Sequence, residues 1–130
     1  MTDPNYMNFY VERVASDVPV VMACAKACGL ALESDGHPVD DADGYVQITE
    51  YTDGFEMGLC IIWPPTAPMP RPQEAVAQTI AHELRQRVLF DIDDASADSG
   101  ERWILATPDG AASTVDVVEY EDGVGLSGSD

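Results

Sequence analysis

The sequence predicts an α+β fold: an antiparallel sheet with two helices on one face, in the order β-α-β-β-α-β(-β), a ferredoxin-like variant. Three observations carry this. Asp53-Gly54 joins two β-type runs, Tyr45–Tyr51 and Phe55–Trp63, as a two-residue hairpin turn. Helical spacing follows Ser16 and again Pro72, and alternating runs lie before the first helix and after the second.

Met1–Tyr6 reads as a mobile end, and Met7–Arg13 as the first strand, with Met7, Phe9 and Val11 on its apolar side. Ser16 is a natural N-cap, Asp17 suits the positive end of the helix dipole, and Pro19 falls in the first turn. Val18, Val21, Met22, Ala25 and Cys28 follow helical spacing to a stop at Gly29. Leu30–Glu33 continues as a short extended piece before the loop Ser34–Gly44.

The hairpin register places Val46 opposite Ile61, Ile48 opposite Leu59 and Thr52 opposite Phe55. One face then carries Val46, Ile48, Phe55, Met57, Leu59, Ile61 and Trp63, with Glu50 the single polar intruder. The other mixes Tyr45, Gln47, Thr49, Tyr51, Glu56, Gly58, Cys60 and Ile62. Five prolines between Pro64 and Pro72 give a stiff polyproline-type connection, PPTAPMPRP.

Pro72 opens a second helix reaching Val88, whose buried stripe is Val76, Ile80, Leu84 and Val88, widened by Ala77 and Ala81. Arg85 and Arg87 suit its last turn. Leu89–Ile92 starts a strand and Asp93–Glu101 is an acidic loop. Pro108-Asp109-Gly110 then joins strands Arg102–Thr107 and Ser113–Tyr120. That hairpin pairs Trp103 with Val115 and Arg102 with Asp116, and residues 122–130 form a mobile Gly/Ser tail. The chain, residues 1–130, is one domain.

Charge narrows function further. With 24 acids, 6 bases and a net charge of −18, the chain repels nucleic acid and anionic lipid and favours a basic partner. Aspartate-rich, lysine-poor composition is also a product of salt adaptation. No apolar run reaches the roughly 20 residues of a membrane span, and no basic-then-apolar leader opens the sequence. Three cysteines without framework spacing suit reduced thiols in a cytoplasm.

No residue pattern names a reaction. His37 and His82 lack a nucleophile at a motif spacing, so no catalytic residue is assigned. Cys24 and Cys28 share a helix face, yet small buried hydrophobes account for them more simply than a metal, and no metal or cofactor is expected. DADG and DIDDASADSGE lack the spaced ligands and closing glutamate of a calcium loop.

The acid is concentrated locally. Asp35, Asp40, Asp41, Asp43, Glu50, Asp53 and Glu56 are unrelieved by any base between residues 35 and 56, and Asp91–Glu101 likewise holds acids alone. Tyr45, Tyr51 and Trp63 sit in or beside the first stretch. Rings supply desolvated area and carboxylates supply steering, which together suit the gripping of a basic protein.

In size, acidity and segments such as DDADGYVQITEYTDGFE and DIDDASADSGE, the chain resembles the immunity proteins of bacterial toxin–immunity pairs. The resemblance implies a small cytoplasmic, non-enzymatic antitoxin that plugs a basic toxin, often a nuclease. The partner-binding residues expected from charge and exposure are Asp40, Asp41, Asp43, Tyr45, Tyr51, Asp53, Glu56, Asp93 and Asp94. In that reading carboxylates stand in for substrate phosphates and a tyrosine packs at the centre. A small-molecule or metal-binding regulatory domain and a decoy mimicking DNA are the alternatives.

Overall fold

The computed structural model describes residues 5–13, 16–34, 43–64, 72–93 and 101–126. In chain order these form β1 (Asn5–Val11), α1 (Asp17–Cys28), β2 (Leu32–Ser34), β3 (Gly44–Glu50), β4 (Asp53–Gly54) and β5 (Met57–Trp63). There follow α2 (Gln73–Leu84), β6 (Val88–Asp93), β7 (Glu101–Ala106), β8 (Ala112–Val115), β9 (Val117–Tyr120) and β10 (Gly123–Leu126). The polyproline stretch at 65–71, the loop at 35–42 and the acidic segment at 94–100 lie outside the described residues.

The expected hairpin forms in the expected register from the Tyr45 and Ile62 pair to the Glu50 and Met57 pair. At its tip, however, the N–H groups of Thr52 and Phe55 donate to Asp122 and Val124, and Asp53–Gly54 becomes β4. Val46 pairs with Ile61 and Ile48 with Leu59, and the Tyr51 N–H donates to Glu56 O at 2.8 Å. Around it lies a seven-stranded sheet in the order β2-β3-β5-β1-β6-β7-β8. It is mixed rather than purely antiparallel, because the short β2 runs parallel to β3. Chain ends expected to be mobile are partly strand: Asn5 and Tyr6 belong to β1, paired with Trp63 and Ile62, and Gly123–Leu126 is β10.

Both helices contribute to one core with the sheet. Phe9, Val11, Val46, Met57, Leu59, Ile61, Val88 and Phe90 meet Val20, Cys24, Val76 and Ile80 there. α1 is turned from its expected orientation. Val20, Cys24, Ala27 and Cys28 are buried, whereas Val18 and Met22 are 69% and 66% exposed. Its sequence DVPVVMACAKAC is apolar nearly all round, so spacing alone defines no unique buried face. Ser16 occupies the N-cap position but makes no side-chain capping bond, and Gly29 closes the helix in the left-handed conformation.

α2 ends at Leu84, four residues before the expected Val88, with Arg85 left-handed at its C-cap. Val88 fits the four-residue helical series, but it also begins the apolar run Val88-Leu89-Phe90, and pairing with β1 and β7 claims it for β6. Arg87 therefore lies beyond the helix. Its guanidinium donates to Glu12 Oε2 at 2.6 Å, tying the end of β1 to the start of β6.

The face away from the helices is covered over half its width. The expected strand Ser113–Tyr120 breaks at the exposed Asp116, so β8 stays in the large sheet and β9 leaves for a second one. The Trp103–Val115 pair forms, but the ladder ends there, without the expected Arg102–Asp116 pair. The second sheet, β4-β10-β9, joins the tip of the central hairpin to the C-terminal strand. Phe55, Leu89, Leu105 and Val124 are buried beneath it, with Tyr10, Trp103, Val115, Val117 and Leu126 packed around them. Phe55 is thus buried as expected, yet in this second core rather than beside Met57, because the chain bends at Phe55 and Glu56. All of Val88, Leu89 and Phe90 are fully buried because β6 is covered on both faces.

Candidate protein-binding face

The half of the sheet that no other described element covers is the outer face of β3, β5 and β1. Pairing arranges it in rows: Tyr45–Ile62–Tyr6, then Gln47–Cys60–Asn8, then Thr49–Gly58–Tyr10. The middle strand contributes the small Cys60 and Gly58 between longer side chains on its neighbours. A trough of about 240 Å³ results, lined by Asn8, Tyr10, Gln47, Thr49, Tyr51 and Cys60 among others. Drug-sized ligands occupy clefts of roughly 300–1,000 Å³, so this one suits a single side chain or a small group.

Gly58 is required here by close approach. A Cβ on it would lie 2.7 Å from Tyr51 Cε2, so only glycine lets the Tyr51 ring rest across the strand. The ring stands 5.8 Å from that of Tyr10, which in turn lies 6.0 Å from Trp103. This aromatic row closes one end of the trough against the second core. Burial raises the Tyr10 phenol above its ordinary pKa, and Tyr51, Asp91 and Glu119 add to the rise. Four of the five tyrosines, Tyr6, Tyr10, Tyr45 and Tyr51, share this face.

The hairpin tip projects beyond the Tyr51 end. Thr52 donates from both N and Oγ1 to Asp122 Oδ2, at 2.9 and 2.8 Å, across 70 residues of sequence. These bonds hold the Asp122 carboxyl below the usual aspartate range, the backbone N–H contributing most. Asp53 N donates to Asp122 O and Phe55 N to Val124 O, completing the staple. Gly123, at φ +142°, is the residue this crossing demands, since a Cβ there would fall 2.1 Å from Asp53 O. Exposed Glu50, Asp53, Glu56, Glu121 and Asp122 are gathered at this end of the molecule.

The expected partner-binding residues divide. Tyr45 and Tyr51 lie half-buried on the uncovered face, and Asp53 and Glu56 are exposed at the tip. Asp43 is turned to structural use: Oδ2 accepts from Ala31 N at 2.9 Å and its own N–H donates to Ala31 O. Asp40, Asp41, Asp94 and the Asp93 side chain lie outside the described residues. Sequence reasoning placed Cys60 on the face of Gln47 and Thr49 but missed Asn8 and Tyr10 as their neighbours. Alternation placed Asn8 and Tyr10 on the polar side of β1, but nothing local indicates that β1 pairs with β5.

A second hollow, about 370 Å³, lies beside the helices and involves Lys26, Thr79, His82, Glu83 and Asp109. Lys26 pairs with Glu83 at 2.9 Å, and His82 Nδ1 sits 3.3 Å from Pro108 O. Cys24 is buried in α1, and burial followed by the neighbouring Cys28 pushes its thiol up to about 12, far from a reactive thiolate. Among the described residues no group of three His, Cys, Asp or Glu side chains is placed to hold a metal ion, and no helix is long and apolar enough to cross a membrane. Compared with protein-family models, curated proteins and solved structures, the chain matches none.

Proposed function

We propose that this protein is a non-enzymatic, acidic cytoplasmic binder that inhibits a basic protein by covering its active site, as an immunity protein does to a bacterial toxin. The observation that carries the reading is the stapled tip. Carboxylates from the central hairpin and from the β9–β10 turn converge beside a face bearing four tyrosines. Acidic groups fixed on backbone present a preorganised field to a cationic cleft, and tyrosines add contact area at low entropic cost. A ferredoxin-like core belongs to the same reading and is supported by the central strand order β3-β5-β1-β6 with a helix on each crossover.

Affinity capture from native lysate at low salt, followed by a salt step, tests this directly. The expected result is one basic protein in equal amount, whose toxicity co-expression relieves. Asp53→Lys combined with Glu121→Lys should slow association about tenfold at low ionic strength and much less at high. An empty eluate, or an unchanged rate in the double variant, refutes the reading. The trough favours a second possibility, a regulatory domain for a small molecule. That would give a saturable thermal shift with a metabolite and no captured protein.

A further inference from the structure

We infer that the trough on the β3-β5-β1 face seats the guanidinium of an arginine side chain presented by the partner. The inference deepens the binding reading above and rests on it. Three features converge on this ligand chemistry.

First, the lining supplies acceptors. Asn8 and Gln47 carry side-chain carbonyl oxygens and Thr49 and Tyr51 carry hydroxyls, disposed on two sides of a narrow floor. Gln47 and Cys60 and Asn8 form one row and Thr49, Gly58 and Tyr10 the next, so acceptors face each other across the small residues of β5. A guanidinium has five N–H donors in a plane and can use both sides at once; an ammonium is compact and more strongly hydrated.

Second, an aromatic ring closes the end. Tyr51 lies across Gly58, offering a surface on which a planar cation stacks. Third, the charge is complementary. None of the described residues lining the trough is basic, Asp91 and Glu119 act on Tyr10 at its border, and the whole chain carries −18. A carboxylate or phosphate ligand would meet repulsion with no cation to hold it, whereas an arginine arrives down the field. The volume, about 240 Å³, admits the end of one such side chain.

The probe is a blocked tripeptide, acetyl-Gly-Arg-Gly-amide, titrated against the full chain at 50 mM salt while side-chain amide and tyrosine NMR signals are followed. The expected result is saturable movement of the Asn8, Gln47 and Tyr51 signals. The lysine counterpart should bind roughly fivefold more weakly, since its ammonium cannot bridge both walls or stack. The citrulline counterpart, isosteric but neutral, should give no saturation. Gln47→Lys, at an exposed position, should abolish the arginine response, while Glu74→Gln, the same charge change on α2, should leave it within about twofold.

Equal binding of lysine and arginine peptides, or persistence of the response in Gln47→Lys, reduces the effect to diffuse charge and overturns the seat. Equal binding of the citrulline peptide overturns its cationic nature. A basic protein captured without any arginine response refutes the seat alone, and an arginine response without a captured protein refutes the inhibitory reading alone.

Discussion

Gly123 shows how much of this molecule turns on single positions. Its φ of +142° and the 2.1 Å approach of a would-be Cβ to Asp53 O leave no room for a side chain. Gly123→Ala should cost about 2–3 kcal/mol in denaturant unfolding, because backbone rather than a flexible side chain must yield. The same residue marks a limit of reading sequence. Glu121-Asp122-Gly123 has the composition of a loose tail, and the partner that makes Gly123 structural lies 70 positions earlier. Gly54, by contrast, was legible, because Asp-Gly between alternating runs carries its meaning within a few residues.

Among the elements, β10 does the most with the least sequence signal. It supplies Val124, 3% exposed, to the second core and one side of the staple. Val124→Ala should destabilise by about 2 kcal/mol and redden the emission of Trp103, which packs against that core, more than that of Trp63, buried under the helices. The Thr52–Asp122 link adds a dependence on acidity. The folded Asp122 carboxyl titrates below its unfolded value near 3.8, so its contribution is complete above that pH and is lost as pH falls through the folded pKa. Asp122→Asn should therefore flatten the fall of Tm below about pH 4 without altering its slope near neutrality.

Strands with local turns were legible at this scale, as the Val46–Ile61 and Trp103–Val115 pairs illustrate. Helix α1 was legible in extent but not in orientation, since Val18 and Met22 continue its apolar character onto the solvent side. The end of α2 was hidden by Val88, which satisfies a helical and a strand pattern equally. Tertiary pairing decided, and no local signal stood in for it.

For the whole molecule the governing fact is self-repulsion. Twenty-four acids and six bases on 130 residues favour any state that spreads charge apart, which opposes compaction. Raising sodium chloride from about 10 mM to 0.5 M should raise Tm by roughly 5 °C through screening, measured by thermal unfolding at neutral pH. A Tm that falls with salt would mean that pairs such as Glu12–Arg87 outweigh the repulsion. Their exposure of about a third on each partner, 34% and 37%, argues against it. At this scale the sequence disclosed the charge and its clustering but not the trough. Its floor and one wall come from β5 and β3, which the hairpin pairs, but the other wall is β1, whose place beside β5 only the folded sheet establishes.

The parallel joining of β10 to β4 bears on when the acidic tip forms as well as how. During synthesis most of the helix-covered core can assemble from residues emerging up to β6, since all its buried members except Ala106 are then available. The acidic tip is different: Asp53 and Asp122 come together only after residues 123–126 have left the ribosome. A nascent chain would therefore carry its sheet and helices while the acidic tip was still open, and on the binding reading proposed above competence would follow the pairing of β10.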